Sequence, residues 1–224
     1  TGLARLAPPH AFERTLSVLH ERRFHGRAPL DHLAVDVYDP FSAQQVRNAD
    51  ALLAVFEGAV SLSALASLDF KKIRLAEPWE WGCEPSALRR LLRAYAWPEP
   101  VLPIDVDENG MCVRRDAGGE AVPREDGVTR DVYLRAYLSA LLDARVVDDL
   151  PVRAYCHWTF VDNYELGRWS PRFGLHGLTD GRAWSDLDAT GCDAAGAYAA
   201  VARAFTERDD EALRGALARA LDRE

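Results

Sequence analysis

Three groups of chemically capable side chains stand where short apolar runs end. Leu30 to Tyr38 closes with Asp36, Tyr38 and Asp39. The run from Val101 closes with Asp105, Asp107, Glu108 and Asn109. The run from Pro151 to about Val161 carries His157 and Trp158 and leads into Asp162, Asn163 and Glu165. A Tyr, several carboxylates and an indole suit a sugar. Aromatic faces stack on the C–H face of a pyranose, and carboxylates hold hydroxyls or attack the anomeric carbon. The alternative is that polar residues at strand ends merely solvate a rim, and three such clusters in one chain weigh against it.

The elements that must position these groups follow from periodicity. Phe12, Leu16, Leu19 and Phe24 have helical spacing, and Gly26 stops that run. Leu30 to Tyr38 reads as a buried strand ended by Asp39-Pro40, followed by a helix near 43–56 and a long connection to Trp79-Glu80-Trp81. Pro85 suits a first helical turn, where its missing N–H costs nothing. Leu88, Leu91, Leu92 and Tyr95 then make one apolar face, closed by Trp97-Pro98. Pro98, Pro100 and Pro103 keep the next segment extended into a second strand, Val101 to Asp107. Residues 111–128 read as a Gly- and charge-rich loop. Thr129 is predicted to cap a helix with Asp131 near its positive end and Leu134, Tyr137, Leu138, Leu141 and Leu142 inward. A third strand and two closing helices complete the pattern, at about 193–205 behind Asp193 and about 210–222 behind Asp209 or Asp210. Strands alternating with helices predict a parallel α/β sheet in a single domain over 1–224. Three strands fall short of the eight of a closed barrel. A sheet of three is expected to leave an apolar edge and one bare face, and hence to self-associate or await a missing segment.

Composition narrows the partners. The chain of 224 residues has 27 Lys plus Arg against 35 Asp plus Glu, a net charge of −8, which argues against nucleic acid. No apolar run approaches the ~18 residues of a spanning helix, so no membrane role is expected. Thr1 to Pro9 lack a basic stretch followed by an apolar one. The cysteines at 83, 112, 156 and 192 form no CxxC pair, which supports reduced thiols in a cytoplasmic protein and no metal centre.

One motif is a decoy. Asp105-Val106-Asp107-Glu108-Asn109-Gly110, with Asp116 further on, nearly spells a calcium loop. Such a loop needs an entering helix, which the three prolines forbid, and a final Glu where Asp116 stands. Among the single residues, His10, His20 and His25 read as solvated, and His32 and His157 as strand residues packed under helices. Arg172 reads as an anchor for its loop through a carboxylate.

Four ordered segments resemble the family 1 glycoside hydrolases. Leu102 to Gly110 (LPIDVDENG) is similar to that family's P-I-x-I-T-E-N-G. Val152 to Leu175 (VRAYCHWTFVDNYELGRWSPRFGL) is similar to its V-x-G-Y-x-x-W-S-L-x-D-N-x-E-W … R-F-G-L. Asp36-Val37-Tyr38 resembles G-L-N-Y-Y, and Trp79-Glu80-Trp81 through Leu88 resembles W-x-x-x-P-x-G-L. The resemblance, over residues 31–178, implies a retaining β-glycosidase on a (β/α)8 TIM barrel, of which this chain would supply the last three or so strand–helix units. It implies Glu108 as nucleophile, Tyr38 as the hydroxyl that tunes it, Trp158 as the floor under the glycone, and Glu165 with Asn109 as substrate-binding residues. No cofactor is implied, and the partner would be a small-molecule β-glycoside.

Departures accompany the likeness. Asp107 stands for Thr, Asp36 for Asn, and Leu166 for a Trp. The Asn-Glu-Pro segment that carries the family's acid/base Glu does not occur: the Glu-Pro steps at 77, 84 and 99 follow Ala76, Cys83 and Pro98. The alternative function is therefore a catalytically inactive sugar-binding or interaction protein on the same scaffold.

Overall fold

A computed structural model of the chain describes residues 30–38, 76–96, 101–179, 183–207 and 209–218. The helices expected at 11–24 and 43–56 lie outside the described residues. Within them the alternation predicted from sequence is present. Strand β1 (Leu33–Val37), helix α1 (Pro85–Tyr95), strand β2 (Ile104–Asn109), helix α2 (Arg130–Val146) and strand β5 (Val152–His157) come first. Helices α3 (Ala194–Glu207) and α4 (Asp210–Ala218) follow. Strands β1, β2 and β5 form a parallel sheet in that order. All three clusters of polar residues therefore leave the sheet at the same, C-terminal, edge.

The core lies on one face of this sheet. Period-2 alternation sends Leu33 and Val37, Ile104 and Val106, and Val152 toward the helices. There they meet Leu88 and Leu92 of α1 and Tyr133 and Tyr137 of α2. Leu88 and Leu92 sit one turn apart, so α1 buries a single stripe. The other face is open and carries charge. Ala34, Asp36 and Arg153 are exposed there, and the Arg153 guanidinium clasps Asp105 through Nε at 2.9 Å and Nη2.

Several expectations change in detail. Residues 111–128 contain two short strands, β3 (Val113–Arg115) and β4 (Ala121–Val122). β3 pairs antiparallel with β4 and with β6 (Pro171–Arg172), a partner more than fifty residues away that local composition cannot announce. Strand β5 stops at His157, short of Val161. From Thr159 the chain pairs instead with its own downstream segment, through Leu175 N–H to Thr159 O at 2.9 Å and His176 N–H to Phe160 O at 3.0 Å. Beyond it a small hairpin, β7 (Leu178–Thr179) with β8 (Ala183–Trp184), went unforeseen. Thr129 occupies the N-cap position of α2, but its hydroxyl donates to Asp131 (2.6 Å) and not a backbone amide to it. Asp193 and Asp209 do cap their helices, accepting the Gly196 and Ala212 amides at 2.8 and 2.9 Å.

Candidate active site

The site begins at the end of β1. Asp36 and Tyr38 are two residues apart and so share a face, while Val37 between them points into the core. The Tyr38 hydroxyl donates to Glu108 Oε2 at 3.3 Å. Behind it, the Tyr38 ring is wedged edge-on between Trp81 (centroids 5.2 Å apart) and Phe173 (6.4 Å), which also touch each other at 6.1 Å. Trp81 is fixed in turn by its indole N–H to Ala76 O at 3.2 Å, and Arg124 Nη2 donates to the Trp81 carbonyl at 2.7 Å. This aromatic clamp was missed from sequence. Its parts lie on three distant segments, and only the Trp79-Glu80-Trp81 triplet stood out locally.

Glu108 is half-buried near the end of β2, where a bulge shifts the register against both neighbouring strands. Burial pushes its carboxyl above the usual carboxylate range, and the negative charge of Asp36 adds to the push. The Tyr38 hydrogen bond acts the other way, while the charges of Glu165 and Asp107 raise it further. Tyr38 itself is driven well above its ordinary value, by burial first and by Glu108 next. Its hydroxyl therefore stays a donor throughout the working pH range.

Trp158 follows β5. Its backbone N–H donates to Asn109 O at 3.0 Å, which holds the start of the loop against the end of β2. Its indole N–H donates to Glu165 Oε1 at 3.1 Å, and Asn163 Nδ2 reaches the same oxygen at 3.3 Å. The loop that carries Glu165 is shaped by Asp162. This buried residue accepts from Gly174 N–H at 2.9 Å and faces Arg172 at 3.8 Å, the carboxylate pairing expected of Arg172. Main-chain bonds also tie that loop to β2's continuation, with Arg115 N–H on Ser170 O at 2.9 Å.

Tyr38 with Glu108 and Trp158 with Glu165 are thus brought as two hydrogen-bonded pairs to one end of the sheet, within electrostatic reach of each other. Asn109 is not presented to it. The residue is fully buried and consumes its amide inside the protein, donating to Val37 O at 2.7 Å and to the Tyr133 hydroxyl at 2.9 Å. Its carbonyl oxygen accepts from the Tyr155 hydroxyl at 2.9 Å. Its expected role in binding substrate is therefore corrected to one of positioning: Asn109 ties β1, β2, β5 and α2 together directly beneath Glu108.

Gly110, which completes the triplet, has a different reason to be there. A Cβ on it would collide with the carbonyl oxygen of Trp158, so only glycine lets the two loops approach this closely. The calcium-loop pattern dissolves in the structure. Ile104–Asn109 is a strand, and Asp105 is committed to Arg153 with His32 3.6 Å away. Among the described residues no three His, Cys, Asp or Glu side chains converge as metal ligands. No helix among them is long and apolar enough to cross a membrane.

Several known proteins are similar to this chain. A bifunctional beta-D-glucosidase/beta-D-fucosidase of Bifidobacterium breve is 34% identical over 98 residues, covering 42% of this chain and 21% of that protein. Beta-glucosidase 40 of Arabidopsis thaliana is 28% identical over 160 residues, covering 67% of this chain and 30% of that protein. The chain thus spans between a fifth and a third of the length of these curated relatives. Among solved structures, a beta-glucosidase from Thermotoga maritima in complex with castanospermine superposes with a TM-score of 0.46 at 15% identity, covering 87% of this chain and 54% of that one. Residues 15–195, most of the chain, match the family described as Glycosyl hydrolase family 1, and to that family this chain belongs.

Proposed function

We propose that this chain carries the glycone-binding and nucleophilic part of a retaining, β-glucosidase-like active site. The observation that carries the reading is two hydrogen-bonded pairs, Tyr38–Glu108 and Trp158–Glu165, whose carboxylates lie close enough at one end of a parallel sheet to feel each other's charge. A retaining glycosidase needs a carboxylate beside the anomeric carbon. Glu108 would form the glycosyl ester, and Tyr38 favours its ionised form by hydrogen bonding. Glu165, oriented by the Trp158 indole and Asn163, would accept sugar hydroxyls while the Trp158 ring carries the C–H face of the pyranose.

The substrate class is a small-molecule β-glycoside, and this chemistry needs no metal or organic cofactor. In this reading the three strand–helix units are the C-terminal part of a (β/α)8 barrel. The open, charged face of β1–β2–β5 would be its lumen side, completed by an N-terminal segment or by self-association. The four cysteines, none of them in a disulfide, support a reducing, cytoplasmic setting. The test is covalent trapping: the protein is incubated with 2,4-dinitrophenyl 2-deoxy-2-fluoro-β-glucoside and digested, and its peptides are weighed. A glycosyl adduct on Glu108 supports the nucleophile. A folded protein that binds glucosides without acquiring label supports the sugar-binding alternative, which the missing Asn-Glu-Pro segment favours.

A further inference from the structure

We propose that Arg168 is a positioning residue for Glu165, fixing the direction in which that carboxylate faces the sugar. The proposal rests on reading Glu165 as the acceptor of sugar hydroxyls. Glu165 and Arg168 exchange both of their main-chain hydrogen bonds, each at 2.9 Å. The two residues between them, Leu166 and Gly167, have φ of +49° and +82°, as a two-residue type I′ turn requires. Residues opposite each other in such a ribbon send their side chains to the same face. Glu165 and Arg168 therefore share one face. Tyr164 and Trp169, the next pair, occupy the other, with ring centroids 5.4 Å apart.

Arg168 reaches a segment far away in the chain. Its guanidinium pairs with Glu77 and lies over the Trp79 ring, 5.0 Å from the centroid. Both partners belong to a stretch that is itself held. Glu77 N–H donates to Glu80 Oε2 at 2.8 Å, closing the single helical turn Pro78–Glu80. Arg124 donates to the carbonyls of Trp79 and Trp81 at 3.3 and 2.7 Å. The same stretch carries Trp81, which wedges Tyr38. One short piece of chain thus grips Tyr38 through Trp81 and the Glu165 turn through Glu77 and Trp79.

The backbone shows why the turn needs this grip. The β3–β6 pairing reaches Ser170 through the Arg115 N–H, and the turn that carries Glu165 lies outside it. Leu166 is held in the left-handed region, which a residue with a Cβ keeps only where its surroundings over-determine it. Trp158 and Asn163 fix one oxygen of Glu165, and Arg168 fixes the ribbon from which that side chain projects. Glu77 and Arg168 are both part-exposed, and such an ion pair contributes little to stability. Its loss should therefore show in ligand affinity more than in Tm.

Calorimetric titration of the full chain with phenyl 1-thio-β-glucoside, beside trapping by the fluorinated dinitrophenyl glucoside, tests the role. Arg168→Ala is expected to weaken binding ~10-fold, the worth of one hydrogen bond to a charged group. Its labelling rate at saturating reagent should stay within a few-fold of wild type, and its Tm within ~4 °C. Arg168→Lys should recover part of the affinity, because a charge opposite Glu77 returns. In a Glu165→Gln background, Arg168→Ala should weaken binding no further, the non-additivity of residues that act through one another. Arg114→Ala removes the other guanidinium over Trp79, 5.6 Å from its centroid, and should leave the affinity unchanged. Equal losses in the wild-type and Glu165→Gln backgrounds would overturn the role of Arg168. So would a loss in Arg114→Ala as large as in Arg168→Ala, or unweakened binding by Arg168→Ala. A wild type that binds but takes no label on Glu108 overturns the nucleophile reading alone, and Arg168 is still judged by affinity. A wild type that binds no glucoside overturns the reading of Glu165, and the role of Arg168 with it.

Discussion

The Tyr38 hydroxyl lies 3.3 Å from Glu108 Oε2 and opposes the two strongest influences on that carboxyl, burial and the charge of Asp36. The sign of its removal follows. Tyr38→Phe takes away the contact that favours the ionised form, so the acidic limb of the labelling rate should move to higher pH. Asp36→Asn removes a repelling charge and should move the same limb to lower pH. Opposite shifts in a pH profile of trapping by the fluorinated glucoside check both at once, and shifts in the same direction would contradict the assignment.

Gly110 makes the second prediction. Because the Trp158 carbonyl occupies the space a Cβ would need, Gly110→Ala must push the start of the Glu165 loop away from β2. Overpacking of this kind costs ~1–3 kcal/mol, or a fall of ~3–10 °C in Tm for a chain of this size. The labelling rate should fall as well, since Trp158 moves with its carbonyl. Gly119, which has open space around its Cβ position, serves as the comparison: substitution there should cost stability alone, through its φ of +89°.

Arg130 and Asp188 form a fully buried ion pair, and Arg130 also donates to the carbonyls of Met111 and Arg172 at 3.2 and 2.8 Å. Asp188 in turn accepts the Thr190 and Cys192 amides at 2.8 and 2.9 Å, which shapes the turn into α3. Asp188→Ala leaves a buried guanidinium without its counter-charge and should cost ~3–5 kcal/mol. Urea unfolding is the measurement. The double variant Arg130→Met, Asp188→Leu should recover part of that loss, because the stranded charge is gone.

His157 predicts an acid-sensitive fold. Both ring nitrogens are buried, and the Phe173 backbone is the one hydrogen-bonding influence that favours the charged form. Burial, with the Arg130 charge second, pulls its pKa down from 6.5 to about 3. Between those values the unfolded chain binds a proton that the folded chain refuses, so stability falls as pH falls through that window. The loss from this residue amounts to ~3 kcal/mol between pH 6.5 and 4. His157→Phe should flatten the pH dependence of Tm over that range, and an unchanged slope would show that other groups dominate it.

The sequence made some of this legible and hid the rest for identifiable reasons. Elements whose core contacts are periodic were readable: α1 from Leu88 and Leu92, α2 from Leu134 and Leu138, and β1 from Leu33 and Val37. So was the gathering of Glu108 and Trp158, because strands packed in parallel deliver their ends to one edge. Asn109 misled because position beside a reactive residue says nothing of direction. The bulge in β2 and the hydroxyls of Tyr133 and Tyr155, 24 and 46 residues away, decide where its amide points. The clamp on Tyr38 was hidden for the same reason, since Trp81 and Phe173 meet only after the chain has folded. The charge on the open face stayed hidden because a strand pattern of Ala, Arg and Asp does not reveal that Asp105 and Arg153 neutralise each other across neighbouring strands.

The antiparallel trio β4–β3–β6 joins the segment leaving Glu108 to the segment leaving Glu165 by main-chain hydrogen bonds. The distance between the two carboxylates is therefore a property of backbone, insensitive to what decorates the loop. Exposed side chains around it, Tyr164, Leu166 and Trp169 among them, are free to vary without loosening that frame. New ligand preferences can accordingly arise here by exchanging surface rings and alkyl groups, with no redrawing of the peptide path.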